Sequence, residues 1–348
     1  MQDPDSILNF IQSRIPNFTS IEHASSLKSD LNNQIWRLSD GKISVVLKNA
    51  LPRIEDTSDP DHPDLIEFEA RALRLFEEDT LLKNLVSNLI RPVRCLGLLK
   101  EERFLLLEDL GDGPDLATWL LRSASATGFD AAADLLGTFI GRMHSVTAGS
   151  GRLAKRFNNR TVQERRYRDL YNEVGPSMRK AGYPGWEEVD TKAQNLGLRF
   201  MDTGVCLTMG DLRPKSIVMV PRGVRLINWE FCHYGFPAQD VARLSAHLWM
   251  HAHVEPDLDV RRRLRAFNSK FLSTYQKIIR SEAPSSFESD DFYDTHNVHF
   301  GCEILNRTTG MMTKDYLYDG PRRREQRKDA VTVATNCITG DAPVFLRS

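Results

Sequence analysis

From Val205 to Leu244 the chain reads VCLTMGDLRPKSIVMVPRGVRLINWEFCHYGFPAQDVARL. An apolar run ends at Gly210-Asp211, and Ser216 follows five residues on. The pattern predicts a short strand over Ile217 to Val220, a Pro-Arg-Gly turn, and a second strand over Val224 to Ile227 that ends in Asn228-Trp229-Glu230. Two strands joined by a tight turn bring their outer ends together. Asp211, Ser216, Asn228 and Glu230 are therefore expected to converge on one small polar site.

The rest of the chain has to build around that hairpin. Its 348 residues suffice for two lobes rather than one core. With 41% hydrophobic and 27% charged residues it reads as a soluble globular protein. A formal net charge of −1 argues against a nucleic-acid or membrane surface as the main partner. The acidic start, MQDPDSILNFIQSRI, reads as a helix capped at Asp5-Ser6 and not as a signal peptide. No apolar run reaches membrane-spanning length. Five scattered cysteines without CxxC spacing fit free thiols in a reducing compartment, with the cytoplasm as the default.

Periodicity divides the chain into a β-rich part and a helical part. Strands are predicted over Gln34 to Leu38 and Ile43 to Leu47 around a Ser39-Asp40-Gly41-Lys42 turn, and over Pro92 to Leu99 and Phe104 to Leu107. Between them lie a polar loop, Leu51 to Pro63, and a helix over Leu65 to Phe76. Helices are predicted over Asp130 to Val146, Val162 to Val174, Trp186 to Met201, Ala238 to Met250, Asp259 to Ile279 and from Asp290 onward. We thus expect a β-rich lobe over residues 1–108, a hinge at 109–114 and a helical lobe over 115–348 that carries the hairpin.

Several residue types fit phosphoryl transfer, which needs a lysine on the phosphates, a helix glutamate to hold it, an aspartate near the acceptor and metal ligands. Val45-Val46-Leu47-Lys48 is an apolar strand ending in lysine, and Glu69 or Glu67 in the next helix could pair with it. The bland readings are an exposed strand-end lysine and glutamates on a solvated helix face. In order along the chain come Lys48, Glu69, the hinge, Gly141-Arg142-Met143-His144, Gly210-Asp211, Asn228-Trp229-Glu230 and Gly235-Phe236-Pro237-Ala238-Gln239-Asp240. From about Ile21 to Leu248 this resembles the aminoglycoside phosphotransferase and choline kinase-like family. The nearest flavour is that of fungal small-molecule kinases related to methylthioribose kinase and hydroxytryptamine kinase, on the strength of the LK strand end and the INWEFCHYG run.

The resemblance implies an α+β, protein-kinase-like bilobal fold with a small β-rich N-lobe and a larger helical C-lobe. It implies ATP and Mg²⁺ as cofactors and a small molecule as substrate, with Asp211, Lys48 and Glu69 catalytic. Lys48, Glu108, Ser216 and Asn228 would contact the cofactor, and Phe104 to Leu107 with Glu108-Asp109 would line the adenine side. Asn228, Glu230 and Ser216 would form the metal site. Asp240 would tie down the catalytic loop. Glu230, Trp249, His299 and Tyr316, with Phe300, would serve the acceptor site. Arg213 and Lys215 could hold Asp211 ionised.

Four departures bear on function. The stretch matching the nucleotide loop, Ser26 to Asn33, has no glycine, although glycine lets backbone N–H groups approach phosphate. Ser216 stands where Asn is usual. Asn228 stands where the family has a metal-binding aspartate, which removes one charge from a hard-cation site. Glu230, two residues on and so on the same strand face, could partly compensate. Met209 replaces a frequent histidine.

These departures leave two readings. One is a kinase-fold protein, a pseudokinase of secondary metabolism, reused for metabolite binding or metal-free acid–base catalysis with ATP and metal use weakened or lost. The other is an active ATP-dependent phosphotransferase acting on a hydroxyl or amine. His247, His251 and His253 have a spacing that can bind zinc but lack an HExxH glutamate. Arg261 to Arg263 and Arg322 to Arg324 read as solvated faces, and Cys232 as a buried filler.

Overall fold

The computed structural model describes residues 4–14, 20–27, 33–50, 64–122, 127–284, 287, 290–314 and 316–341. The expected loop over 51–63 and residues 28–32 of the glycine-free stretch lie outside them. The chain forms two compact units. One comprises Met1–Lys83, Pro92–Gly113 and Ile227–Glu230; the other comprises Asn84–Arg91, Pro114–Leu226 and Phe231–Ser348.

The first unit is a five-stranded antiparallel sheet with helices. Its strands are β1 (His23–Ser26), β2 (Asn33–Ser39), β3 (Ser44–Ala50), β5 (Cys95–Leu99) and β6 (Phe104–Glu108), after β4 (Ile90–Pro92); the order is β1-β2-β3-β6-β5. The β2–β3 turn forms because Asp40 Oδ1 accepts from the N–H groups of Lys42 and Ile43 at 2.8 and 2.7 Å, with Gly41 at φ +84°. Strand alternation in β3 sends Val45 and Leu47 to one face. There they join Trp36, Leu38, Phe104 and Leu106, and Ile7 and Ile11 of helix α1 (Pro4–Arg14), in one core. That helix starts at Pro4, so Asp5 sits in its first turn rather than capping it. Lys48 points to the other face.

Helix α2 (Asp64–Glu78) buries Leu65, Ile66, Ala72, Leu73 and Phe76. Glu69 lies within that stripe, at i+4 from Leu65 and i−4 from Leu73, so it is buried and must be paired. The single strand expected over Pro92 to Leu99 is two strands, because β4 joins a different sheet, β4-β9-β8. A short helix α3 (Thr80–Lys83) precedes it.

The second unit is mainly helical: α4 (Leu116–Arg122), α5 (Thr127–Thr147), α6 (Gly151–Arg156), α7 (Arg160–Arg166), α8 (Val174–Lys180), α9 (Trp186–Arg199), α10 (Pro237–Val254), α11 (Leu258–Glu282), α12 (Asp290–Thr308) and α13 (Arg324–Thr339). The helix expected over Val162 to Val174 is interrupted by a π turn, Tyr167–Tyr171, where the Asn172 N–H bonds Tyr167 O. Helix α9 approaches this wide turn through Gly197, where a Cβ would lie 2.6 Å from that of Tyr171. The arginine runs are not purely solvated faces. Arg263 lies over the Phe129 ring and donates to Leu120 O, Arg261 donates to Glu255 O, and Arg323 to Val254 O.

Strand β7 (Cys206–Thr208) pairs with β10 (His233–Gly235), and β8 (Ile217–Val220) with β9 (Gly223–Leu226). The second hairpin strand therefore ends at Leu226, not Ile227. Asn228 follows at φ +65°, a left-handed conformation that asparagine tolerates. Asn228 and Glu230 consequently do not share a strand face. Between β7 and β8, Gly210 sits at φ +77°, and a Cβ there would lie 2.1 Å from Phe231 O. Gly210→Ala is expected to cost at least about 2 kcal/mol, from backbone strain plus the clash. Gly149→Ala, at φ +67° with open space around it, should cost less. Thermal unfolding of the two variants separates the two contributions.

Candidate functional site

The first unit holds a buried charge triad. Lys48 Nζ donates to Glu69 Oε2 at 2.7 Å and also to Glu230 Oε2. Lys48, Glu69 and Glu230 are 3%, 1% and 5% exposed. Burial alone would lower the lysine pKa, but Glu230 and Glu69 outweigh it and raise it above the ordinary value. Glu69 Oε1 accepts from the Trp229 N–H at 3.2 Å, and the Trp229 ring packs against Phe76. Asn33 Nδ2 reaches Glu230 Oε1 at 3.5 Å. Glu67, the alternative partner, pairs instead with Lys100 at 3.0 Å near the surface.

At the end of β6, Glu108 Oε1 accepts from the Arg94 N–H. Asp109 holds Arg37, Ser44 and the Gly111 N–H.

The second unit positions Asp211 through Asp240, in the first turn of α10. Its two carboxylate oxygens accept from the N–H groups of Met209 at 2.7 Å and Gly210 at 2.8 Å. His144 Nε2 lies 3.3 Å from the same carboxylate, and its Nδ1 is 3.0 Å from the Tyr275 hydroxyl. A carboxylate at a helix N-terminus is favoured by the dipole, so the loop is fixed from a rigid base.

Asp211 itself is 2% exposed and surrounded by guanidinium groups. Arg213 Nε donates to Oδ2 at 2.9 Å. Arg243 Nη2 is 2.7 Å from Oδ1, and Arg166 is 3.7 Å from it. The Arg243 approach to Oδ1 is close but off-line, an ionic contact rather than an aligned hydrogen bond. Burial would raise the Asp211 pKa, but Arg213, Arg243 and Arg166 prevail and hold it well below the carboxylate range.

Arg243 also binds Glu303 of α12, which Arg166 approaches at 3.6 Å. Arg166 is lowered to about 10, by burial first and then by Arg243 beside it. The sequence reading named Arg213 but missed Arg166, Arg243 and Glu303. The available signal was a lone charge inside an apolar helical stretch, Arg243 in VARLSAHL and Glu303 in FGCEIL.

The expected acceptor residues are distributed. Tyr316 lines a cavity of about 280 Å³ with Arg213, Pro214, Lys215, His247, His251 and Leu317. His299 bonds the Tyr171 hydroxyl at 2.7 Å, and Phe300 is core. Trp249 stacks on His253, which bonds Tyr318 and Asp329. His247 Nδ1 meets the Tyr316 hydroxyl at 2.6 Å. Cys232 is fully buried, and Ser216 is buried with its N–H on Arg213 O.

The donor set does not fit a Mg²⁺ site of the expected kind. Asn228 offers a neutral amide, Ser216 a buried neutral hydroxyl that has no hydrogen-bond partner among the described residues, and Glu230, the one carboxylate of the three, is committed to Lys48. Among the described residues no three His, Cys, Asp or Glu are grouped to hold a metal.

The model of the phosphotransferase enzyme family matches residues 23–273. Methylthioribose kinase of Bacillus pumilus (strain SAFR-032) is 25% identical over 185 residues, 48% of this chain and 47% of that protein. The chain thus spans about half the length of that curated relative. Among solved structures, choline kinase from Cryptosporidium parvum Iowa II has a TM-score of 0.57 at 11% identity, covering 97% of this chain and 95% of that one. An ADP-bound aminoglycoside phosphotransferase has a TM-score of 0.54 at 12% identity, covering 96% and 98%. The fold is therefore protein-kinase-like, with a small β-sheet N-lobe and a larger helical part.

Two measurements follow from the buried charges. Lys48→Met leaves two carboxylates facing each other, and is expected to cost about 3–5 kcal/mol in urea unfolding. Adding Glu230→Gln should recover part of that loss.

The second concerns pH. Burial lowers His296 to about 4 and His299 to about 3, so both stay neutral in the folded chain where the unfolded chain binds protons. Their contribution is complete above pH ~6.5 and is lost as pH falls toward 4, by up to about 1.4 kcal/mol per pH unit for each. Asp211 and Glu303, also held low, act in the same direction at still lower pH. Urea midpoints should fall between pH 7 and 5, and His296→Gln should flatten the slope.

Proposed function

Because the chain belongs to the phosphotransferase enzyme family, we propose that it takes a small organic molecule in a kinase-like fold whose Mg²⁺-dependent use of ATP has been weakened. The observation that carries this is the commitment of Glu230 to Lys48, next to an amide at Asn228. The lysine that would meet phosphate is already engaged by two carboxylates, and of the residues that would hold the metal, Asn228 and Ser216 bring only neutral oxygens. By the resemblance, Asn228 stands where the family has a metal-binding aspartate. A lost carboxylate there costs on the order of 10²–10³ in rate by analogy with other transition-state electrostatic losses.

Asp211 fits binding better than base catalysis in this arrangement. A useful general base has a pKa near the working pH, and three arginines hold Asp211 far below it. The small-molecule part of the reading is supported by the relatives, a methylthioribose kinase, a choline kinase and an aminoglycoside phosphotransferase. The five free thiols support the cytoplasm as its location.

A second reading, transfer of the ATP γ-phosphate to a hydroxyl or amine, is favoured by one feature. The Lys48–Glu69 pair at 2.7 Å is the arrangement that phosphate positioning requires.

Calorimetry separates the two. The first reading expects ATP binding to be weak and unchanged by Mg²⁺ or Mn²⁺, and Asn228→Asp to introduce a metal dependence. Tight, Mg²⁺-dependent ATP binding by the wild type, with a Kd on the order of 1 μM, would overturn it in favour of the second.

A further inference from the structure

The cavity beside Asp211 has an unusual charge balance. Its lining includes Arg213, Lys215, His247, His251 and Tyr316. Behind that wall stand Arg243, Arg166 and Arg307, the last with its guanidinium 5.0 Å from the Tyr316 ring centroid. Among the described residues, the carboxylates woven into this cluster are Asp211 and Glu303, and neither lines the cavity. Four guanidinium groups therefore face two carboxylates, an excess of two positive charges before Lys215 is counted. Asp115 acts on His251 at the cavity edge, opposed there by Lys215.

We propose that this cavity seats an anionic group, a carboxylate or a phosphate, of the small molecule that the protein takes. This rests on the small-molecule reading above and gives its chemical class. Arg213 is the central residue. It is about a quarter exposed (26%), lines the cavity, and touches Asp211 with its Nε. Its planar fork suits carboxylate and phosphate oxygens. Tyr316 adds a hydroxyl, and His247, bonded to that hydroxyl through Nδ1, adds a ring that stays neutral.

The potential at the wall agrees with the geometry. After burial, the contributions that push His247 down come first from three guanidinium groups, Arg307, Arg243 and Arg213. Arg166 and Arg307 are both depressed by burial and by Arg243. An incoming anion relieves that crowding, while a cationic ligand would add to it. A cavity of about 280 Å³ holds a small metabolite rather than a polymer.

The test is thermal unfolding of the full chain at constant ionic strength with five probes. Inorganic phosphate and glycerol 3-phosphate represent phosphate, malate represents carboxylate, and choline chloride and glycerol serve as cationic and neutral references. We expect at least one anionic class to raise the midpoint and neither reference to do so. A phosphate-only or malate-only response assigns the group.

Lys215 is exposed, so Lys215→Glu should fold normally, with circular dichroism as control. It should weaken the anion response at least tenfold in probe concentration. No response to any anion, an equal response to choline, or a response undiminished in Lys215→Glu overturns the assignment. The probes contain no nucleotide and no divalent cation. Failure here removes the cavity assignment alone, whereas Mg²⁺-dependent ATP binding removes the reading of the fold's function alone.

Discussion

A guanidinium enclosed by apolar side chains must meet carboxylates, or the helix that carries it loses several kcal/mol. Arg243 lies in such a helix, since α10 is buried from Pro237 to Leu248. It meets Asp211 of the loop after β7 and Glu303 of α12 together. One side chain thereby ties three parts of the larger unit to the same point. Asp240, one turn earlier on α10, fixes the same loop through the N–H groups of Met209 and Gly210. The position and charge state of Asp211 are set by α10, and the cavity wall at Arg213 is set by Asp211.

The smaller unit obeys the same rule, with an ammonium in place of the guanidinium. One ammonium, Lys48, serves two carboxylates, Glu69 and Glu230. Glu69 stays on an apolar helix stripe because Lys48 and the Trp229 N–H satisfy it. An aspartate at 228 would have placed a third carboxylate on the segment that carries Glu230. An amide there leaves the triad at a single negative charge. The triad of the smaller unit thus keeps one negative charge, while the larger unit carries an excess of positive charge around its cavity.

The elements with strong local patterns were legible in the sequence. Alternation around the Asp40-Gly41 turn marked β2 and β3, and the apolar stripe from Leu65 to Phe76 marked α2. The order of Lys48, Glu69, Gly210-Asp211 and the NWE run carried the family. What stayed hidden depends on tertiary contact. Arg243 and Glu303 are 60 residues apart and meet only across packed helices. The π turn at Tyr167–Tyr171 accompanies the close approach of Gly197, which periodicity cannot register. The strand end at Leu226 and the left-handed Asn228 are backbone choices inside an apolar run, where alternation carries little information. Glu69 was placed by order rather than by burial, because a glutamate within a charged helix looks solvated until its partner is known.

The central claim is that Asp211 is a clamped, ionised anchor of an arginine cluster and not a free base. Carbon-13 NMR titration of the side-chain carboxyl groups, assigned with Asp211→Asn, tests it directly. The arrangement predicts no protonation step for Asp211 between about pH 4 and pH 8, because three arginines hold it ionised. A midpoint near neutral pH, about 6 to 7, is what a working general base would show. Such a midpoint would contradict the account.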